Sequence, residues 1–81
     1  MPSLREQFGK RIKSIRQQRK LTQEEFAELV GMSVDFLSLI ERGRNAPSFE
    51  KLEKIAERLE VSVPYLFTFP SGVAPGGKGR R

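Results

Sequence analysis

The 81-residue chain contains neither cysteine nor histidine. The first absence excludes disulfides. Together they remove the usual zinc ligands and the Cys- or His-based nucleophiles and acid–base pairs on which many enzymes rely. Long apolar runs are missing too: none approaches the ~18 residues of a membrane span. The opening Met1-Pro2-Ser3-Leu4 lacks the basic, apolar, small-residue order of a secretory signal. The expectation is a cytoplasmic protein with no membrane partner, no metal and no cofactor. What is present is a modest apolar complement of six Phe, eight Leu, four Ile and five Val. A chain of this length makes one domain that buries about 60% of its unfolded surface, with no room for a separate small-molecule domain. Fifteen Lys and Arg against ten Asp and Glu leave a net charge of +5, which suits a polyanionic partner without naming one.

Punctuation along the chain predicts helices throughout. Ser3 and Glu6 have the capping-box spacing, and Leu4, Phe8, Ile12 and Ile15 form one apolar stripe, so a basic amphipathic helix is expected from Ser3 to about Lys20. Thr22 and Glu25 repeat the box, with Leu21 placed to staple onto Phe26. The apolar face continues through Ala27, Leu29 and Val30 until Gly31 stops the helix. Ser33 caps a third helix, Val34 to Arg42, that ends at Gly43 with Leu37 and Ile40 inward and Asp35, Ser38, Leu39 and Arg42 outward. Ser48 caps a fourth, about Phe49 to Glu60, with Leu52, Ile55, Ala56 and Leu59 inward. A short fifth starts at Ser62 and carries Tyr65, Leu66 and Phe67. After Pro70 the composition shifts to Ser, Gly, Pro and late cations, predicting a disordered basic tail over residues 71–81.

Two short helices joined by Gly31-Met32-Ser33 have the spacing of a helix-turn-helix. Three stretches carry a fuller pattern: Leu21-Thr22-Gln23-Glu24-Glu25-Phe26-Ala27, Gly31-Met32-Ser33, and Leu39-Ile40-Glu41-Arg42-Gly43-Arg44-Asn45-Ala46-Pro47-Ser48. Over roughly Phe8 to Phe67 the chain resembles the phage-repressor and Cro-like (Xre-type) helix-turn-helix regulators. Within that family it is most similar to short single-domain members such as restriction-modification controller proteins. The resemblance implies an all-α, five-helix lambda-repressor-like domain over residues 1–70. It also implies a prokaryotic, non-enzymatic transcription regulator that binds double-stranded DNA as a homodimer on a palindromic operator.

The site residues follow from that resemblance. Thr22 and Gln23 would contact phosphates, which suits a helix N-terminus, although Thr22 is equally a helix cap. Ser33, Val34, Asp35, Ser38 and Leu39 would face base edges from the recognition helix. The other reading of Val34 and Leu39 is core or partner packing. The family often shows Gln, Arg, Lys or Asn on this face, so an acid and a leucine here depart from its pattern. Arg42, Arg44 and Asn45 would make further backbone contacts, or remain solvated. Lys10, Lys13 and Lys20 can extend the phosphate track or simply form a wet face. Arg16 and Glu41 would form an ion pair between the first and third helices. Tyr65, Leu66, Phe67 and Phe69 would supply a dimer contact, or else close the core. The rival reading is an antitoxin-like or adaptor module using the same fold to hold a protein. Catalysis is not suggested, because the adjacent Glu24 and Glu25 face different directions.

Overall fold

The computed structural model describes residues 2–69, which fold into helices with no strand among them. The elements are α1 (Leu4–Gln18), α2 (Gln23–Val30), α3 (Val34–Glu41), α4 (Phe49–Leu59) and α5 (Val63–Leu66). Four are helices of eight residues or more. The expected fifth helix is a single turn of four residues. The expected tail, residues 71–81, lies outside the described residues.

Each element starts on a hydroxyl. Ser3, Thr22, Ser33, Ser48 and Ser62 all adopt extended backbone and accept a hydrogen bond from an N–H of the first turn. Ser3 with Glu6 and Thr22 with Glu25 are complete capping boxes. The Ser3 N–H donates to the Glu6 carboxylate and holds its pKa below the usual carboxylate range. Such caps are each worth ~1 kcal/mol of helix stability.

The helix ends also share one device. Past α1, the N–H of Lys20 donates to Gln17 O and that of Leu21 to Arg16 O; the same paired bonds recur at Gly31/Met32, Gly43/Arg44 and Glu60/Val61. Each first residue of a pair is left-handed, with φ of 60° at Lys20, 79° at Gly31, 75° at Gly43 and 60° at Glu60. These reversals stop α1 at Gln18, α3 at Glu41 and α4 at Leu59, each slightly short of the bounds expected from sequence.

The core joins Phe8, Ile12 and Ile15 of α1 to Phe26, Ala27 and Val30 of α2, Leu37 and Ile40 of α3, and the inner stripe of α4. Helix α3 packs on both α1 and α2, α2 also packs on α4, and α5 bridges α1 and α4. Two expected core residues are outside. Leu4, the first residue of α1, is 61% exposed. Leu29 is at the edge of the surface, about 100° around α2 from the buried Val30.

Gly9 sets the approach of α1 to α3. It is buried, and a Cβ there would collide with the carbonyl oxygen of Ile40 and come within 3.0 Å of that of Glu41. Only a hydrogen side chain lets the backbone of α1 rest on the last turn of α3.

Candidate nucleic-acid interface

The turn from Gly31 to Ser33 holds α2 and α3 as a helix-turn-helix, and the C-terminal end of α3 is fastened to the rest of the molecule. Among the described residues Glu41 is the one buried charged residue, 9% exposed. Arg16 grips it with both sides of its guanidinium, Nε to Oε2 at 2.7 Å and Nη2 to Oε1 at 3.0 Å. The remaining Nη1 donates to Leu21 O at 3.0 Å. The bond to Glu41 raises the Arg16 pKa further above the usual arginine value. The sequence-expected pair therefore forms, and it joins α1, the loop before α2 and α3 at one point. A bidentate Arg–carboxylate contact fixes direction as well as distance.

Gln23 joins the same cluster: its Nε2 donates to Glu41 Oε1 at 3.0 Å. This side chain, expected to face phosphate, is half-buried and turned toward α3. One amide proton is committed inside, leaving the second proton and the amide oxygen. Thr22 is exposed and acts as the cap, Oγ1 accepting from Glu25 N–H at 3.1 Å while its own N–H donates to Glu25 Oε1 at 2.8 Å. The first-turn N–H groups of Gln23 and Glu24 have no partner within their helix, as in any helix start.

On α3 the five expected reading residues separate. Asp35 and Ser33 are exposed, Ser38 and Leu39 are half-buried, and Val34 is partly buried against the core. Val34 thus serves packing, which narrows its expected role as a base contact. The Ser33 hydroxyl accepts from Phe36 N–H at 3.1 Å, so its free capacity is to donate. Arg42 is exposed and lays its Nε against Ser38 O at 3.3 Å, along its own helix. Arg44 is exposed, while Asn45 is half-buried with Oδ1 accepting from Ala46 N–H at 2.9 Å. Lys10, Lys13 and Lys20 are all exposed.

The C-terminal aromatic group is corrected in part. Leu66 is fully buried and closes the core, so it is not available to a second chain. Phe67 is half-buried with its ring 5.0 Å from that of Phe8, and Phe69 stands edge-on to it at 6.3 Å. Tyr65 is 40% exposed, but Arg11 lies 4.4 Å over its ring and donates to its carbonyl oxygen. Leu66 reaches the core because α5 turns back over α1 and α4.

Several structural roles escaped the sequence reading. Arg19 donates to Leu59 O at the end of α4, and Arg58 to Leu29 O near the end of α2. These two cations satisfy carbonyls at the negative ends of neighbouring helices. Only the fold brings them there. Gly9 did leave a signal, since a glycine inside a helix costs about 1 kcal/mol against alanine and usually marks a close approach.

Comparison with known proteins agrees with this geometry. A family model described as Helix-turn-helix matches residues 12–66, more than half of the chain. The immunity repressor protein of Bacillus phage phi105 is 47% identical over 55 residues, covering 68% of this chain and 38% of its own length. The chain thus spans well under half of that repressor. Among solved structures, the clp gene regulator ClgR from C. glutamicum superposes with a TM-score of 0.75 at 36% identity, over 82% of this chain and 85% of its own. The restriction-modification controller protein C.AhdI from Aeromonas hydrophila gives 0.72 at 29% identity, over 76% and 94%. These relatives are named as regulators or repressors rather than enzymes, and among the described residues no helix is long and apolar enough to cross a membrane. By fold, by the matched span and by these relatives, the chain belongs to the Xre-type helix-turn-helix family.

Proposed function

We propose that the chain is a cytoplasmic, sequence-specific DNA-binding transcription regulator that occupies a palindromic operator as a homodimer. The observation that carries this reading is the Arg16–Glu41–Gln23 cluster, which ties the start of α2 to the end of α3 while leaving the outer face of α3 open. A recognition helix must enter the major groove at a fixed angle to the phosphate contacts beside it. Thr22, Gln23 and the free N–H groups of the first turn of α2 would hold one phosphate. Arg42, Arg44 and Asn45 would hold others past the end of α3. Asp35 would accept from a cytosine amino group, Leu39 would pack on a thymine methyl, and Ser33 and Ser38 would bond to bases or phosphates.

Selection of bound duplexes from a random pool tests the reading, followed by affinity measurements on the winner at two salt concentrations. With six to ten phosphate contacts, affinity should fall ~1,000-fold or more between about 50 and 200 mM salt. Absence of duplex binding at the lower concentration would overturn it and favour a protein-holding module, for which an exposed acid and a leucine on α3 are better suited.

A further inference from the structure

Leu4, Leu29, Phe49 and Tyr65 are the large apolar side chains left exposed among the described residues. Tyr65 is covered on one face by Arg11, and Leu29 is only marginally open at 36%. Leu4 and Phe49 differ: they are 61% and 84% exposed, and they share one feature of the surface. As the first residues of α1 and α4, they stand on opposite lips of a groove of about 430 Å³. Phe8, Leu52 and Phe67 contribute apolar lining, and Ala46 and Pro47 line it from the loop that leaves α3. Phe49 and Leu4 thus add exposed apolar surface to an already apolar groove, making one contiguous patch of side chains that would elsewhere be scattered singly.

We infer that this patch is where a second copy of the chain docks, Phe49 of each copy seated in the groove of the other. Two properties select a second copy over another partner. The first is shape. A two-fold contact uses one surface twice, so it needs a projection and a recess side by side, and Phe49 next to the groove supplies both. The second is charge. Arg5 lines the α1 lip, whereas Glu53 lies one turn beyond Phe49 on α4, with Glu50 adjacent to Phe49. All three are exposed, and no ion pair among the described residues uses them. Seating Phe49 across the two-fold brings the α1 lip of one copy against the α4 lip of the other, so Arg5 meets Glu53 twice. This contact opposes the general repulsion between two chains of net charge +5.

The inference refines the homodimer of the proposed function by moving its contact from Tyr65, Leu66 and Phe69 to the α1–α4 groove, which keeps only Phe67 of that set, and its DNA arm rests on that reading. Nine residues line the groove, fewer than the ~20–30 a side that make up a standard stable interface of ~800 Å² per partner. Association is therefore weak in free solution, and a second half-site on DNA strengthens it by raising the effective concentration.

The test is sedimentation equilibrium of the full chain without DNA, from about 1 to 500 µM, for the parent, F49D, R5E, E53R, R5E/E53R and Y65A. Thermal melts check that each variant is folded, as the exposure of Phe49, Arg5 and Glu53 leads one to expect. The parent should dimerise within this range. F49D should raise the dimer Kd at least ~10-fold, R5E and E53R should each weaken it, and the double swap should return toward the parent. Y65A should behave as the parent. A parent that stays monomeric, an F49D variant that dimerises as well as the parent, or a double swap no better than its singles overturns the inference. On DNA, F49D should match the parent on one half-site and lose cooperativity on two. Dimerisation that depends on Phe49 in a chain that binds no duplex would sink the DNA reading and leave the interface standing.

Discussion

The two ends of α3 are built differently. Its last turn is held by a backbone contact at Gly9, a bidentate ion pair from Arg16 and an amide from Gln23, all converging on Ile40 and Glu41. Its first turn has one hydroxyl cap, at Ser33, the core anchor Leu37 and the partial burial of Val34 and Phe36, but no side-chain hydrogen bond to another helix among the described residues. The contrast separates placement from content. The end that sets the direction of the helix is over-determined, while the end and face that would meet a ligand carry side chains with few internal obligations. Substitution should therefore be costly at the first and cheap at the second.

The largest expected effect is at the tied end. Glu41→Ala leaves the Arg16 guanidinium, with its side chain 12% exposed, without its partner and removes the acceptor of Gln23. A loss of ~3–5 kcal/mol is expected for breaking a buried pair by removing one member, read by urea unfolding. Replacing both, as R16M/E41L, should recover most of that stability. It should not recover duplex affinity if the pair serves to aim α3. Full recovery of both properties would show that the tie is merely structural. Gly9→Ala comes next. Alanine favours a helix by about 1 kcal/mol, yet here its methyl meets carbonyl oxygens that cannot retreat without moving α3, so a net loss of ~1–3 kcal/mol is expected. A stability gain would mean that α1 and α3 part easily and that the close approach sets nothing.

This end of α3 was only half legible in the sequence. Arg16 and Glu41 stood out through family resemblance, and their contact forms as that resemblance implies. Gln23 did not, because an amide at a helix start suits a phosphate and an internal carboxylate equally well. The choice between them depends on where Glu41 lies across 18 positions of chain. Caps and apolar periods are local, so Ser3, Thr22, Ser33, Ser48 and Ser62 could be read in advance. Whether Leu66 faced a partner or the core was not local, since it depends on α5 folding back over α1 and α4. Nor was the role of Arg19 and Arg58 local: they are helix-end ligands whose carbonyl partners lie 40 and 29 positions away.

At the open end the expected stability changes are small. Asp35→Ala and Leu39→Ala should each alter unfolding free energy by less than ~1 kcal/mol, since Asp35 is exposed and Leu39 half-buried. Their effect belongs in recognition. Asp35→Ala should strengthen binding to duplex in general by removing an acid that faces phosphates, while relaxing preference at one base pair by about 1–3 kcal/mol. Duplex selections with both variants measure this directly. Unchanged base preferences in both would move the reading face elsewhere on the molecule.

The smallest effect concerns the two helix ends that no glycine announced. Lys20 and Glu60 occupy the same left-handed position that Gly31 and Gly43 fill, and they make the same pair of backbone hydrogen bonds. A residue with a Cβ is strained there, typically by about 1 kcal/mol, so the motif is held by its hydrogen bonds and by Leu21 and Val61 packing on the core just beyond. Glu60→Gly and Lys20→Gly relieve that strain but enlarge the freedom of the unfolded chain, and the two effects oppose each other. A net gain of a few tenths of a kcal/mol to ~1 kcal/mol is expected for each, read as a rise in thermal midpoint. Glu60 lies at the end of α4, outside the Arg16–Glu41–Gln23 cluster, so Glu60→Gly should leave duplex affinity unchanged, whereas Lys20 adjoins Leu21, whose carbonyl oxygen accepts from Arg16. At Lys20→Gly a drop in affinity with the stability gain intact would identify that exposed cation as part of the phosphate track, whereas no drop would leave it a solvated charge at the end of α1.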